Sequence, residues 1–155
     1  MATWAIKTPE DYAAAHKAIQ DRLNRIAEGG KGAMTTATTD VVLDALGRSV
    51  ERAPVREGPL RGSGYAEVNG ITVATGNEDG SITVRGAAAP PEGDVIKAEI
   101  GFTEKYAFVQ HEHVEFKHPM GGQAKYLESV VVENEQRYLN HLAESAKKGL
   151  RGEDV

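Results

Sequence analysis

The chain has no cysteine. That absence removes the disulfide framework, the thiolate zinc site and the thiol nucleophile together, and it leaves the redox compartment unreadable from sequence. Aromatic residues are scarce, 6% of the chain with one tryptophan, which does not suggest a platform for stacking bases. Positive charge is in the minority: 18 Lys and Arg stand against 23 Asp and Glu, a formal charge of −5. A nonspecific grip on a phosphate backbone would therefore need a local basic patch that the total does not supply. No window approaches the roughly 20 apolar residues that a bilayer crossing requires. The opening Met1-Ala2-Thr3-Trp4-Ala5-Ile6-Lys7 lacks the basic and apolar regions of a secretory signal, so the expectation is a protein made in the cytoplasm.

What is present is ordinary for a folded domain. The 155 residues are 40% hydrophobic and 26% charged, which predicts one soluble domain over residues 1–150 and a mobile tail over 151–155. Thr8-Pro9-Glu10-Asp11 opens a helix, with a capping residue, a proline at the first helical position and acids at the positive end of the dipole. Tyr12, Ala15, Ile19, Leu23 and Ile26 form its apolar stripe, predicted to pack by one face. Gly29-Gly30-Lys31-Gly32 predicts a stop near Glu28 and a hinge, so that residues 1–32 stand as an N-terminal helix and hinge or arm. A second helix is expected from near Met34 or after Thr39, burying Val42, Leu46 and Val50, and ending at Ala53-Pro54. After a Gly- and Pro-rich loop to Gly64, alternation at Ile71, Val73, Thr75 and again at Ile82, Val84, around the turn Asn77-Glu78-Asp79-Gly80, predicts a β-hairpin. Ile96, Ala98, Ile100 and Phe102 predict a further strand. Tyr106 to Gln110 reads as a short strand or turn, His111 to Gln123 as a long polar excursion, and Ala124 to Leu150 as the strongest helix. The fold class predicted is α+β: an antiparallel sheet with N-terminal helices and a long C-terminal helix packed on one face.

The densest cluster of chemistry is His111-Glu112-His113-Val114-Glu115-Phe116-Lys117-His118. On a strand, His111, His113 and Glu115 would share one side and supply two imidazoles and a carboxylate to a metal. The alternative is a polar loop whose histidines bond backbone, carboxylates or a neighbouring subunit. Other motifs fall short. Gly29 to Gly32 follows a helix rather than a strand and lacks the Ser or Thr of a phosphate loop. Ser63 lies between Gly62 and Gly64, but Arg61 and Tyr65 occupy the outer glycine positions of a nucleophile elbow. Arg48, Arg52, Arg56 and Arg61 are interleaved with Glu51 and Glu57, the pattern of a solvated, salt-bridged face. Tyr106, Phe108 and Phe116 read as core or interface. No catalytic set, cofactor or metal is expected.

The order of features is informative as a whole. Ala53-Pro54, then Gly58-Pro59-Leu60-Arg61-Gly62-Ser63, then strands, then Tyr106-Ala107 with a following glutamine and histidine, then Ala124-Lys125-Tyr126-Leu127 before the last helix, resembles the minor capsid or neck proteins of long-tailed bacteriophages over about Val41 to Leu150. Residues Gly29 to Thr39 are expected to be longer and more flexible than that pattern has between its first helices, which leaves the first helix without a counterpart in it. The resemblance implies an α+β subunit of the head-to-tail connection: a neck, head-tail joining, tail completion or tail terminator protein, noncatalytic and located in the virion after assembly in the host cytoplasm. It implies that Gly58, Leu60, Arg61 and Ser63 form the turn between helix and sheet. Tyr106, Ala107, Gln110, His111, His113, Glu115, Phe116 and His118 would meet neighbours, and Tyr126 and Leu127 would anchor the final helix. The implied partners are further copies in a ring, the adjoining connector and tail tube proteins, and DNA passing through without sequence-specific contact. A small metal-dependent enzyme using His111, His113 and Glu115 is the second expectation, and a module binding a peptide by strand addition the third.

Overall fold

The computed structural model describes residues 8–55 and 58–153, apart from the side chains of residues 11 and 12. The start at Met1 to Lys7, Arg56 of the arginine cluster, Glu57 and the tail's last two residues lie outside the described residues, as does the side chain of Tyr12. In chain order the elements are α1 (Pro9–Arg52), α2 (Pro59–Gly62), β1 (Gly64–Val68), β2 (Ile71–Gly76), β3 (Ile82–Val84), β4 (Ala98–Phe102), α3 (Ala107–Glu112) and α4 (Glu128–Arg151). The sheet is antiparallel throughout, with order β3-β2-β1-β4. The fold is α+β, with its helices on one face of the sheet.

Register follows from turn chemistry. Val68 pairs with Ile71 across Asn69-Gly70, both at positive φ (52° and 77°), the two-residue turn whose twist matches that of the strands. Gly64, Ala66 and Val68 of β1 turn inward and are buried, while Tyr65 and Glu67 turn outward. Val42, Leu46 and Val50 of α1 lie on Ala66, Val68, Val73 and Ala74, with Ile96, Ile100 and Phe102 at the margin. Small residues on the strands let the helix sit close: a Cβ at Gly76 would meet the Arg61 carbonyl oxygen at 2.2 Å.

α4 runs antiparallel along α1 and reaches the sheet where Val130 packs with Ala45, Tyr138 and Ile100. Polar contacts mark the seam at intervals: Arg52 to Glu133 (2.6 Å), Tyr138 Oη donating to Asp44 (2.7 Å) and His141 to Asp40 (3.1 Å). Burial would raise the Asp44 carboxyl, but hydrogen bonds from Tyr138, Arg48 and Arg137 outweigh it and hold that carboxyl below its ordinary value. The Tyr138 hydroxyl, desolvated and bonded to that carboxylate, is pushed up to about 12.

The expected hinge at Gly29 to Gly32 is absent, and no second helix begins near Met34 or Thr39. α1 is one helix of 44 residues. The reason is packing: a Cβ at Gly149 of α4 would come within 2.3 Å of Ala33 Cβ and 3.0 Å of the Gly29 carbonyl oxygen. Glycine here serves close approach of two helices, and contact along the seam offsets the roughly 1 kcal/mol that each helical glycine costs relative to alanine. The predicted stripe of the first helix is also not packed. Ile19 and Leu23 are 62% and 58% exposed, and Ile26 is exposed too, because α4 ends beside Gly29 and leaves the preceding two-fifths of α1 projecting. Tyr106 to Gln110 is not a strand; Ala107–Glu112 is α3. α4 starts at Glu128, after Tyr126 and Leu127, and continues through Arg151 into the expected tail before Gly152 closes it at φ 74°. No helix among the described residues is long and apolar enough to cross a membrane.

Candidate functional site

The C-terminal end of α1 is the base on which the 103–127 excursion is built. Arg61 folds back and donates from Nε to the Ala53 carbonyl (2.9 Å) and from Nη2 to that of Glu51 (2.7 Å), satisfying carbonyls that the helix end leaves open. Gly58 precedes α2 at φ 74°, with Glu78 packed so close that a Cβ would lie 2.9 Å from its carboxylate. Ser63 Oγ donates to the Leu60 carbonyl, and Ser63's own carbonyl accepts from the Thr103 N–H. Gly58, Leu60, Arg61 and Ser63 thus form the turn from α1 into the sheet, and Leu60 is wholly buried beneath it.

Tyr126 is the centre of the second core, with Ala53, Leu60 and Ala107, and with Phe102 and Leu127 packed around them. Its hydroxyl donates to the Ala107 carbonyl at 2.9 Å. Phe102 and His111 each meet the ring edge-on, centroids 5.0 Å away, a favoured aromatic geometry. Burial pushes the Tyr126 phenol up to about 12. The excursion is stitched to α1 by backbone as well: Gln123 N–H donates to Arg52 O (2.8 Å) and Val55 N–H to Gly121 O (3.3 Å). Gly122, at φ 94°, passes 2.4 Å from Pro54 Cα measured from where a Cβ would stand, an approach only glycine permits.

His111, His113 and Glu115 do not converge. The strand expected for them is the end of α3 followed by a turn, so alternation of faces does not apply. His113 bonds Glu115 (2.6 Å) and stacks on Phe116, centroids 4.8 Å apart. His111 Nε2 accepts the Glu128 backbone N–H at 3.3 Å, which places its proton on Nδ1, donated to Glu112 Oε1 at 2.7 Å. Among the described residues the group with metal-ligand spacing is instead His111, Glu112 and Glu128. Its centre is taken: the Lys125 ammonium lies 2.6 Å from Glu112 and 2.9 Å from Glu128. Lys125 and His111 hold the Glu112 carboxyl below its usual range, and the two acids raise the Lys125 amine. The arrangement is a lysine-centred clamp closing the excursion onto the first turn of α4.

Outside the clamp the excursion is apolar and uncovered. Phe108, Val114 and Met120 are 74%, 71% and 67% exposed, with Tyr106, Val109 and Phe116 also on the surface. A cavity of about 530 Å³ opens beside Phe116 and Met120, lined also by Gln110 and His118 against Pro54. His118 Nε2 is buried there without a hydrogen-bond partner. Beside the excursion, β4 pairs with β1 on one side and with no other strand among the described residues. Sequence reasoning named Tyr106, Gln110, Phe116 and His118 but passed over Val109, Val114 and Met120, whose lack of any helical or strand period in a glycine-rich segment was the available signal. Of the arginines, Arg48 and Arg52 bond Asp44 and Glu133, and Arg61 bonds carbonyls. Searches for similar proteins return no matching family model, no matching curated protein and no matching solved structure.

Proposed function

We propose that this chain is a noncatalytic structural subunit of a tailed-phage neck, which oligomerises as a ring to connect the head to the tail or to complete the tail tube. The single observation that carries this is the apolar excursion: Phe108, Val114 and Met120 stand in solvent on a segment held at both ends, next to the open edge of β4. Exposed apolar side chains clustered on a fixed support mark a protein contact, and an unpaired strand edge is commonly covered by the next copy. An interface of roughly 800 Å² per partner is sufficient for a stable contact. The sequence resemblance names the assembly. The formal charge of −5 suits a ring through which DNA slides, since an acidic lumen repels phosphate.

The metal reading has no comparable support, because His113 pairs with Glu115 while His111 is bonded to Glu112, which Lys125 also holds, so the three expected ligands do not meet at one point. Native mass spectrometry with zinc or manganese supplied tests both. The expected result is a metal-free ring, or a metal-free subunit that adds to isolated tails or connectors, either one lost in Phe108→Asp. One metal held per chain and released in His113→Ala would overturn the assignment.

A further inference from the structure

Both outer strands of the sheet turn unpaired backbone outward. In β3, Arg85 N–H donates to Val73 O (2.8 Å) and Ser81 O accepts from Asn77 N–H (2.9 Å). The odd residues therefore face β2, and the N–H and C=O groups of Ile82 and Val84 point away from the sheet. In β4, Thr103 N–H donates to Ser63 O (3.1 Å) and Lys97 O accepts from Asn69 N–H (2.8 Å). By the same alternation the groups of Ala98, Ile100 and Phe102 point away on the other side. Proteins usually defend such edges with an inward charge, a proline or a bulge. Here the five residues that carry the open groups are all apolar, and the sheet's irregularity lies inside it, between β1 and β2. Val84, on the helix side of the sheet opposite the buried Ala74, is 60% exposed.

We propose that the edge of β3 on one copy pairs with the edge of β4 on the next, so that one antiparallel sheet runs from copy to copy. Three observations select this occupant. The first is direction. Strands alternate throughout β3-β2-β1-β4, so β3 and β4 run oppositely, and repeating the subunit head to tail along the sheet sets β4 antiparallel to the next β3. The second is face. The open groups on both edges belong to residues whose side chains lie on the helix side, so pairing the edges keeps apolar beside apolar. The third is charge. Glu67 and Glu99 stand directly opposite each other, a like-charge pair that costs stability, and neither makes an ion pair among the described residues: Glu99 accepts from Tyr65 Oη and Glu67 from Thr72 Oγ1. Arg85, on the outer side of β3, donates to Thr75 Oγ1 (3.1 Å) and has no acid beside it. These charges fix the register. Val84 opposite Ala98 would set Arg85 on Lys97, and Val84 opposite Phe102 would set Ile82 on Glu104. Val84 opposite Ile100 sets Arg85 on Glu99 and Ile82 on Phe102.

A head-to-tail contact of this kind uses two different surfaces and closes into a ring where the rotation allows. It rests on the oligomeric reading above and says how the copies join. Because the chain has no cysteine, the pairing can be read by mild oxidation of the full chain carrying Arg85→Cys with Glu99→Cys. Within one subunit three strand spacings, about 14 Å, separate the two positions, beyond the ~7 Å that a disulfide spans, so any bond between them joins two copies. At about 0.5 mM protein, where even weak pairing is populated, denaturing gels should show a ladder of covalent oligomers, and neither single variant should cross-link. In sedimentation equilibrium Glu99→Arg and Arg85→Glu should each weaken association about 5-fold, and the two together should restore it. Absence of the ladder, dimers from either single variant, which signal β3–β3 or β4–β4 pairing, or a charge swap that restores nothing would each overturn the contact. A ring that persists without the ladder overturns this contact and leaves the neck assignment standing. A ladder from a protein that adds to neither tails nor connectors supports the contact and overturns the neck assignment.

Discussion

Gly149→Ala and Gly32→Ala are the same substitution in helices and should have opposite signs. Alanine is favoured over glycine in a helix by about 1 kcal/mol, so propensity alone predicts that both stabilise. At Gly32 nothing lies within 4 Å of the added methyl, and the full gain of about 1 kcal/mol should appear. At Gly149 the methyl meets Ala33 Cβ at 2.3 Å, the Gly29 carbonyl oxygen at 3.0 Å and Gly30 Cα at 3.4 Å. Carbon atoms rest about 3.5–4.0 Å apart, so α4 must retreat by over an ångström from a seam that also holds Tyr138 and Val130. Overpacking of this kind costs about 1–3 kcal/mol, and the neighbouring contacts it loosens add to that, giving a net loss of about 1–2 kcal/mol. For a chain of this length each kcal/mol moves Tm by about 2–4 °C. Thermal melts followed by circular dichroism should therefore show Gly32→Ala rising by about 3 °C and Gly149→Ala falling by several degrees. Ala33→Gly should restore part of the loss in the Gly149→Ala background and cost stability on its own. If both single variants melt higher than the parent, α4 does not approach α1 as described and the account of a continuous α1 fails.

Other perturbations test other parts of the structure. Tyr126→Phe removes the hydroxyl's bond to the Ala107 carbonyl, which the helical bond within α3 still engages, and should cost about 0.5–1.5 kcal/mol in urea unfolding; a neutral result would mean that this hydrogen bond is not made. Because Tyr126 and Tyr138 carry phenols raised to about 12, the folded state holds protons that the unfolded chain releases near pH 10. Their contribution to stability is thus complete below pH 10 and is lost as pH rises through 12, and ultraviolet titration should show both ionising late, beside Tyr65, whose phenol is raised by its bond to Glu99, with one late component absent in Tyr126→Phe. Asp44, held below its ordinary 3.8, contributes stability that is present above that value and lost as pH falls through its lower folded value; acid unfolding of Asp44→Asn should lack that component. Arg61→Ala removes the cap on the end of α1 and should lower stability by about 1–2 kcal/mol in the same urea assay, with greater exchange of amide hydrogens at 121–123.

Sequence patterning was a good guide wherever one face of an element is buried and the other is not. Val42, Leu46 and Val50 and the long C-terminal helix were legible for that reason, whereas the Ile82–Val84 strand was marked by the Asn77-Glu78-Asp79-Gly80 turn before it, since Val84 is exposed. It failed where small residues carry the contact. Gly29-Gly30-Lys31-Gly32 has the composition of a linker, and only the facing Gly149, 120 residues away from Gly29 in sequence, makes it helical. β1 was missed because its inward residues are Gly64, Ala66 and Val68, too small to register as a hydrophobic alternation, although Asn69-Gly70 announced a hairpin. In the candidate site the residues His111, His113 and Glu115 were legible as a cluster, but their backbone was not. The lysine that closes on Glu112 comes from position 125, beyond the reach of any local pattern.

The absence of a break in α1 has a mechanical meaning. A rod of 44 residues is about 66 Å long, and roughly the last 24 residues are clamped between sheet and α4. A glycine joint at residue 30 would have let the tip swivel without disturbing the clamp. Without one the tip is a lever: a 5° tilt of the clamped part sweeps the far end by about 2.6 Å over its ~30 Å of overhang, and a load applied to the tip is delivered undiminished to Val42, Leu46 and Val50 on the sheet. Tip and sheet therefore move as one, and what seizes the first can be felt by the second.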